Sequence, residues 1–449
     1  MVRIKLSVLH QRGIAKTEPG DENNQDISAL VGKADIHKLG KYSPDDADAY
    51  SYSGGLCRGN RGLLEFVEMF KAPIKTLHPL LTATQEGNFK GTEGISAIPF
   101  EGLVLAHSNE SEWSTFRNNS NNEAFLDRVY IVKVPYCLRF SEETKIYQKL
   151  LAHSTLRNAP CAPHTLEMLA QFAVLSRLTV PENSNIFTKM RVYDGENLKD
   201  SEVTAKSYSE YKSQAGSREG MTGISTRFAY KVLSSVFNYD NEEVAADPVH
   251  LIKVLQLRLE REDLMADTLR TYQGYIKEYL IDRYVKALGK EMQQAYLESY
   301  SDYGQNLFDR YVTYADHWLQ QQEFADPDTN DILDPKTLDA ELSKIEKPAG
   351  IGNPRDFRNE VVNFVLRARN KNNGNNPSWT SYEKLKEIIE RRMFSNTEDL
   401  IPIISFTAKT SNAEQEKHRG FVQRMLEKGY TEKQVRRLSD WYIRAQKQS

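Results

Sequence analysis

Cysteine is scarce in this chain. There are three, Cys57, Cys137 and Cys161, odd in number and widely scattered. That excludes a disulfide framework of the kind small secreted domains rely on, and none of the spacings suits a zinc site. A reducing compartment is the simpler setting, and a cytoplasmic protein is expected. Long apolar runs are also missing: none approaches the roughly 20 residues that cross a bilayer. The opening stretch MVRIKLSVLHQRGIAKTEPG starts basic but has neither a long apolar core nor a small-residue cleavage site. It does not read as a secretory signal, and no membrane partner is expected. The formal net charge of -3 supplies no overall attraction to nucleic acid. What is present is an ordinary globular composition, 39% hydrophobic and 27% charged over 449 residues, enough for two or three cores.

Two chemical signatures are absent as well. A phosphate-cradling loop needs glycines whose backbone N–H groups wrap the phosphates, followed by Lys and Ser/Thr. No G-x-x-x-x-G-K-[ST] occurs, and Gly289-Lys290 is followed by Glu291 inside a helical pattern. The protein-kinase set of G-x-G-x-x-G, V-A-I-K, H-R-D and D-F-G is missing too. His418-Arg419-Gly420 and Arg355-Asp356-Phe357 lack the required neighbours and are coincidental fragments.

The texture changes twice along the chain. Residues 1–135 mix short apolar runs with turns. Among the runs, Gly102–Ala106 and Val129–Pro135 read as buried strands of an α/β layer. Residues 136–245 read as short helices, including 142–152 and 163–178, with a polar stretch over 181–220 that reads as loop with a structured part. Residues 246–449 are mainly helical, with apolar residues at helical spacing from Leu251 to Leu288 and again over 293–322. The tyrosines of that second stretch, Tyr296, Tyr300, Tyr303, Tyr311 and Tyr314, suit helix–helix packing better than a binding face. Turn clusters at 324–335 and 370–379 separate the helices. The tail opens with Thr431-Glu-Lys-Gln434, a capping signal ahead of an amphipathic helix. The basic pairs Arg391-Arg392 and Arg436-Arg437 read as solvated helix faces, so nucleic acid is not an expected partner.

The informative stretch lies between Tyr52 and Tyr136. Asn60-Arg61-Gly62 feeds the apolar run LLEFV, and Glu68 follows. A buried strand ending in an acid is the arrangement that meets a nucleotide's Mg2+ and water. Residues 74–86 read as a helix, and GNFKGTEGISAIPFEG as an insertion bearing a hairpin. The next strand, LVLAHSNESEW, places Asn109 just past its end, where a sensor of a terminal phosphate would sit. Arg128 follows an acidic helix end. Singly, Glu68 reads as a strand end, Asn109 as a loop cap and Arg128 as a surface ion pair. Their order is what distinguishes them.

RGLLEFVEMFKAPIKTLHPLLTATQEG resembles the Walker B segment and following helix of AAA+ proteins, and LVLAHSNESEW resembles their sensor 1 strand. EAFLDRVYIVKVP resembles the segment offering an arginine finger to a neighbouring subunit. MTGISTRFAYKVL resembles the sensor 2 helix. More specifically, AKTEPGDENNQDISALVGK, TATQEGNFKGTEGISAIPF, NNEAFLDRVYIVKVPYC and EKPAGIGNPRDFRNEVVNFVLRAR are similar to the PrkA family of serine protein kinases, over essentially the whole chain. The resemblance implies an α/β plus all-α fold. Residues 1–135 would be a partial AAA+ P-loop NTPase sheet, 136–245 a helical lid with sensor 2, and 246–449 a helical C-terminal domain. The cofactors would be ATP and Mg2+. Glu68 would polarise the attacking water and Asn109 would position it. Arg128 would reach across a subunit boundary, and Arg227 would touch nucleotide in cis. The usual Asp-Glu pair is here Val67-Glu68; Glu65, on the same strand face as Val67, could share the metal with Glu68. Family members carry the P-loop upstream of the matched region, so this chain is expected to lack it, to bind ATP poorly, and to leave a sheet edge and an apolar face open to solvent. The implied function is an ATP-dependent serine protein kinase in bacterial stress or stationary-phase signalling, acting on a protein substrate and working as a homo-oligomeric ring. The alternatives are an AAA+ remodelling or ATP-dependent protease motor, and a non-catalytic interaction fragment.

Overall fold

The computed structural model describes residues 5–18, 26–44, 46–92, 97–198, 201–299, 301–325, 332–371, 375–393, 401–406 and 412–448. It falls into two units, Met1–Lys133 and Val134–Ser449.

The first unit is built on three parallel strands, β1 (Ile14–Thr17), β2 (Leu63–Val67) and β3 (Leu103–His107), in the order β1-β2-β3. Leu64 pairs with Ala15 and with Val104, and Phe66 with Thr17 and with Ala106. Because side chains alternate along a strand, these residues share one face. That face packs on Leu77, Leu80 and Ala83 of the Ile74–Glu86 helix and on Phe116 and Phe125. Gly62 is required at the head of β2: a Cβ there would lie 2.0 Å from the Gly13 carbonyl oxygen, which accepts the Leu63 N–H. The other face is open. Ile14, Leu63 and Val67 are only partly buried, and Leu103 and Leu105 remain 65% and 54% exposed. A parallel sheet ordinarily buries both faces; this one buries one.

Val129–Pro135 is not the buried strand that its composition predicts. Residues 129–135 form no ladder, and Tyr130 and Val132 stand 91% and 67% exposed. A strand exists only by pairing, and alternating apolar residues without a partner strand remain an extended loop. The expected hairpin in the insertion is present at its base, where Asn88–Phe89 pairs antiparallel with Ile98–Pro99. Residues 93–96 lie outside the described ones.

Among its described residues the second unit is helical apart from a two-residue strand pair, Phe324–Ala325 with Ile332–Leu333, and a single bridge between Cys161 and Ala246. One core joins the helices Phe140–Ala152, Thr165–Arg177, Thr226–Phe237, Pro248–Arg261, Asp282–Ser299, Asn412–Glu427 and Glu432–Gln448. Packing therefore runs straight through residues 245 and 246. A second core joins Ser301–Leu319, Pro335–Glu346, Pro354–Lys371 and Glu383–Met393. Tyr311 and Tyr314 are buried in it, the Tyr311 hydroxyl donating to Glu346 at 2.8 Å. Tyr300, and the side chain of Tyr303, lie outside the described residues. The structured part of the polar stretch 181–220 consists of the helices Ile186–Tyr193 and Tyr208–Ala215. Nor is 251–288 one helix. It breaks after Arg261, restarts at Ala266 and passes through a π-helical turn, Tyr275–Ile281. Arg437 pairs with Asp240 and Asp247 rather than facing solvent freely. The side chains of Arg391 and Arg392 lie outside the description.

Candidate functional site

In parallel α/β sheets, ligands meet the C-terminal ends of the strands. At that end of β2 the chain must turn sharply, and Glu68 does so with φ 50° and ψ 44°, a left-handed conformation uncommon for glutamate. The turn continues as a short 3-10 segment, Met69–Lys71. Phe70 anchors it, packing 5.2 Å from Trp113 and 4.4 Å from Phe116, ring centre to ring centre. The anchoring brings the Lys71 ammonium back onto the Glu68 carboxylate at 2.8 Å. That hydrogen bond raises the Lys71 pKa above its ordinary value.

At the end of β3, Asn109 is the N-cap of the Glu110–Arg117 helix, its Oδ1 accepting the Glu112 N–H at 2.8 Å. It does more than cap. Its Nδ2 donates to Glu112 Oε1 at 2.8 Å, and Ser108 Oγ donates to Glu112 Oε2 at 2.9 Å. Glu112 in turn stands 3.6 Å from Lys71. Glu68 and Asn109 are thus joined by two residues absent from the sequence reading, Lys71 and Glu112. A signal for each was available: Glu112 is the third helical residue after an Asn cap, a capping-box position, and Lys71 follows Glu68 by three.

The remaining candidates make other contacts. Glu65 projects from the middle of β2 and meets His107 Nε2 at 3.4 Å. Arg128 donates to Gln85 Oε1 at 2.9 Å and to the Ala124 carbonyl, so its side chain folds back on its own unit. Arg227 belongs to the helical unit. It is exposed on the first turn of the Thr226–Phe237 helix, which Ser225 caps. Beneath that turn, Thr226 Oγ1 donates to Glu143 at 3.1 Å, and Glu143 is ion-paired with Arg177 at 2.8 Å, both side chains fully buried.

These residues fit Mg-ATP only in part. Glu68 and Asn109 suit the water-activating side of such a site, because a carboxylate and an amide sit at adjacent strand ends. The phosphate side has no glycine cradle in the sequence. Among the described residues no three carboxylate, imidazole or thiolate groups are placed to hold a metal ion.

Comparison with known proteins agrees with the sequence resemblance. Residues 1–185 match the PrkA AAA domain, and residues 187–441 match the PrkA serine protein kinase C-terminal domain. The chain is 68% identical over 449 residues to the serine/threonine kinase YeaG of Escherichia coli K12, covering all of this chain and 70% of that protein. It is 33% identical over 445 residues to the ATP-dependent protease PrkA of Bacillus subtilis 168, covering 95% of this chain and 67% of that one. The solved structure of NtrX from Brucella abortus with ADP aligns at 14% identity over 62% of this chain and 59% of its own, with a TM-score of 0.29, a likeness too weak to bear on function. With an AAA-type parallel sheet in the first unit and both PrkA domains matched in sequence, the chain belongs to the PrkA family.

Proposed function

We propose that this chain contributes to an ATP-dependent serine/threonine protein kinase. The observation that carries the reading is 68% identity over the whole chain to a protein named as such a kinase. Two strand ends support it: in this reading Glu68, just after β2, orients and polarises a nucleophile, and Asn109, the helix cap after β3, positions it. Bound Mg-ATP would supply the phosphoryl group, with Mg2+ offsetting the negative charge of its phosphates. No glycine-rich phosphate cradle occurs within the 449 residues, and this chain alone binds Mg-ATP weakly. Arg227 serves as the cis contact and Arg128 as the residue offered to a neighbouring subunit of a ring. Glu65 serves as an auxiliary acid. The client is a protein, and the setting is the bacterial cytoplasm under stress or in stationary phase.

A second reading, an ATP-dependent protease or remodelling motor, is favoured by the name of the Bacillus subtilis relative. The two separate by experiment. A form extended to the length of the Escherichia coli relative is incubated with labelled ATP, Mg2+ and a bacterial protein extract, beside its Glu68→Gln variant. Phosphoserine or phosphothreonine that disappears in Glu68→Gln supports the kinase. Client cleavage that depends on ATP hydrolysis, with no phosphotransfer, overturns it in favour of the motor.

A further inference from the structure

We propose that the exposed side of the Pro354–Lys371 helix is a docking groove for an extended segment of a partner protein. The segment carries a basic residue and, about five positions away, an acidic one. The inference goes beyond the proposed function, since neither nucleotide nor Glu68 enters it.

The helix has two faces. Phe357, Val361, Val362 and Val365 are buried in the second core. The outer face is not a plain solvated one, because it lines a groove of about 510 Å3 together with Tyr382. The Tyr382 ring packs 4.9 Å from that of Phe364, centre to centre, and its hydroxyl donates to Glu360 Oε2 at 3.1 Å. Lys384 Nζ donates to the same oxygen at 3.2 Å. Glu360 is thus occupied in holding Tyr382 against the helix, and the ring pair supplies the groove with apolar surface.

Three features of the lining select the occupant. Asp356 and Arg367 carry opposite charges toward the two ends, and neither has an ion-pair partner among the described residues. They lie roughly 16 Å apart along the helix axis, a distance that an extended chain covers in about five residues. Between them, Asn363 Nδ2 donates to Asn359 Oδ1 at 3.2 Å. That leaves Asn359 Nδ2 as a donor and Asn363 Oδ1 as an acceptor, on residues that are both exposed. In an extended chain the N–H and C=O of one residue point to the same side, so a single residue of a docked strand satisfies both amides. A helical partner has already used those backbone groups within itself. A polyanion would be drawn to Arg367 but repelled by Asp356.

Short blocked peptides labelled with fluorescein test this on the full chain. Each carries one lysine and one glutamate about five positions apart, with leucine between them, in one chain direction or the other. Fluorescence anisotropy should show saturable binding of one direction, weakening as salt is raised. Arg367→Glu should weaken that peptide by about fivefold or more, the scale of one exposed ion pair. The same variant should prefer a peptide with lysine at both positions. Asn363→Ala should weaken either peptide alike, because it removes a contact to backbone rather than to charge. Circular dichroism melts verify that each variant is folded. Failure of both directions to saturate by about 1 mM peptide overturns the groove. So does binding that Arg367→Glu and Asn363→Ala leave unchanged, which would place the peptide elsewhere. A dimer that Arg367→Glu dissociates in sedimentation velocity would put a second copy of this chain in the groove and overturn the partner segment.

Discussion

Arg177 is fully buried and uses its guanidinium entirely within the protein. Nε donates to the Ile224 carbonyl at 2.9 Å, Nη1 to the Cys137 carbonyl at 2.9 Å and Nη2 to Glu143 at 2.8 Å. Glu143 also accepts from Tyr147 and Thr226. Removing one partner of such a pair strands the other charge in a low-dielectric core, which costs about 3–5 kcal/mol. Arg177→Met should lower the urea midpoint of the helical unit accordingly, and Arg177→Met with Glu143→Leu should recover much of the loss. His164 makes the opposite kind of contribution, one that depends on pH. Its ring is ion-paired with Glu167 at 3.8 Å and hydrogen-bonded to Glu291 at 2.9 Å, and these carboxylates raise its pKa to about 9. The folded value lies above the ordinary 6.5. The stabilisation is therefore complete below about pH 6.5 and lost as pH rises through about 9. The melting temperatures of wild type and His164→Gln should differ at about pH 6 and converge by about pH 10. A gap that persists at the alkaline end would mean that the ring stabilises by packing alone.

At the scale of elements, local signals succeeded where an element satisfies itself. The Thr431-to-Gln434 signal is realised as a reciprocal cap: Gln434 N–H donates to Thr431 Oγ1 at 3.2 Å, and Thr431 N–H to Gln434 Oε1 at 2.9 Å. Thr431→Ala should destabilise the Glu432–Gln448 helix by about 1 kcal/mol, read as faster amide exchange in its first turn. The Ile74–Glu86 helix was legible for the same reason, closed by Gly87 in a left-handed conformation. Val129–Pro135 was misread because its apolar alternation says only that it could pair. An unpaired, exposed segment is also where proteases cut first. Limited chymotrypsin digestion should cleave at Tyr130 before any site within the helices. Protection of Tyr130 would show that the segment is covered in solution.

For the whole molecule, the division after Lys133 separates two kinds of order. The helical unit has its own two cores. After cleavage at Tyr130, the fragment that follows should keep a helical spectrum and a cooperative melt. The sheet unit buries one face through Leu64, Phe66 and the helices above them and leaves Leu103 and Leu105 open. Leu105→Lys should raise solubility without lowering the melting temperature, because that side chain is not part of the core. A loss of stability would mean that the open face is packed in solution.

The amino-acid order was enough to place the strand before Glu68, the strand before Asn109, the helix over 74–86, the cap at Thr431, and the membership of the family. Each of these depends on neighbours a few residues away or on motifs read directly. Three-dimensional packing was needed to settle which strands found partners, why Val129–Pro135 did not, and that Lys71 and Glu112 stand between Glu68 and Asn109. Those outcomes depend on distances between residues about 40 positions apart, which no local pattern encodes.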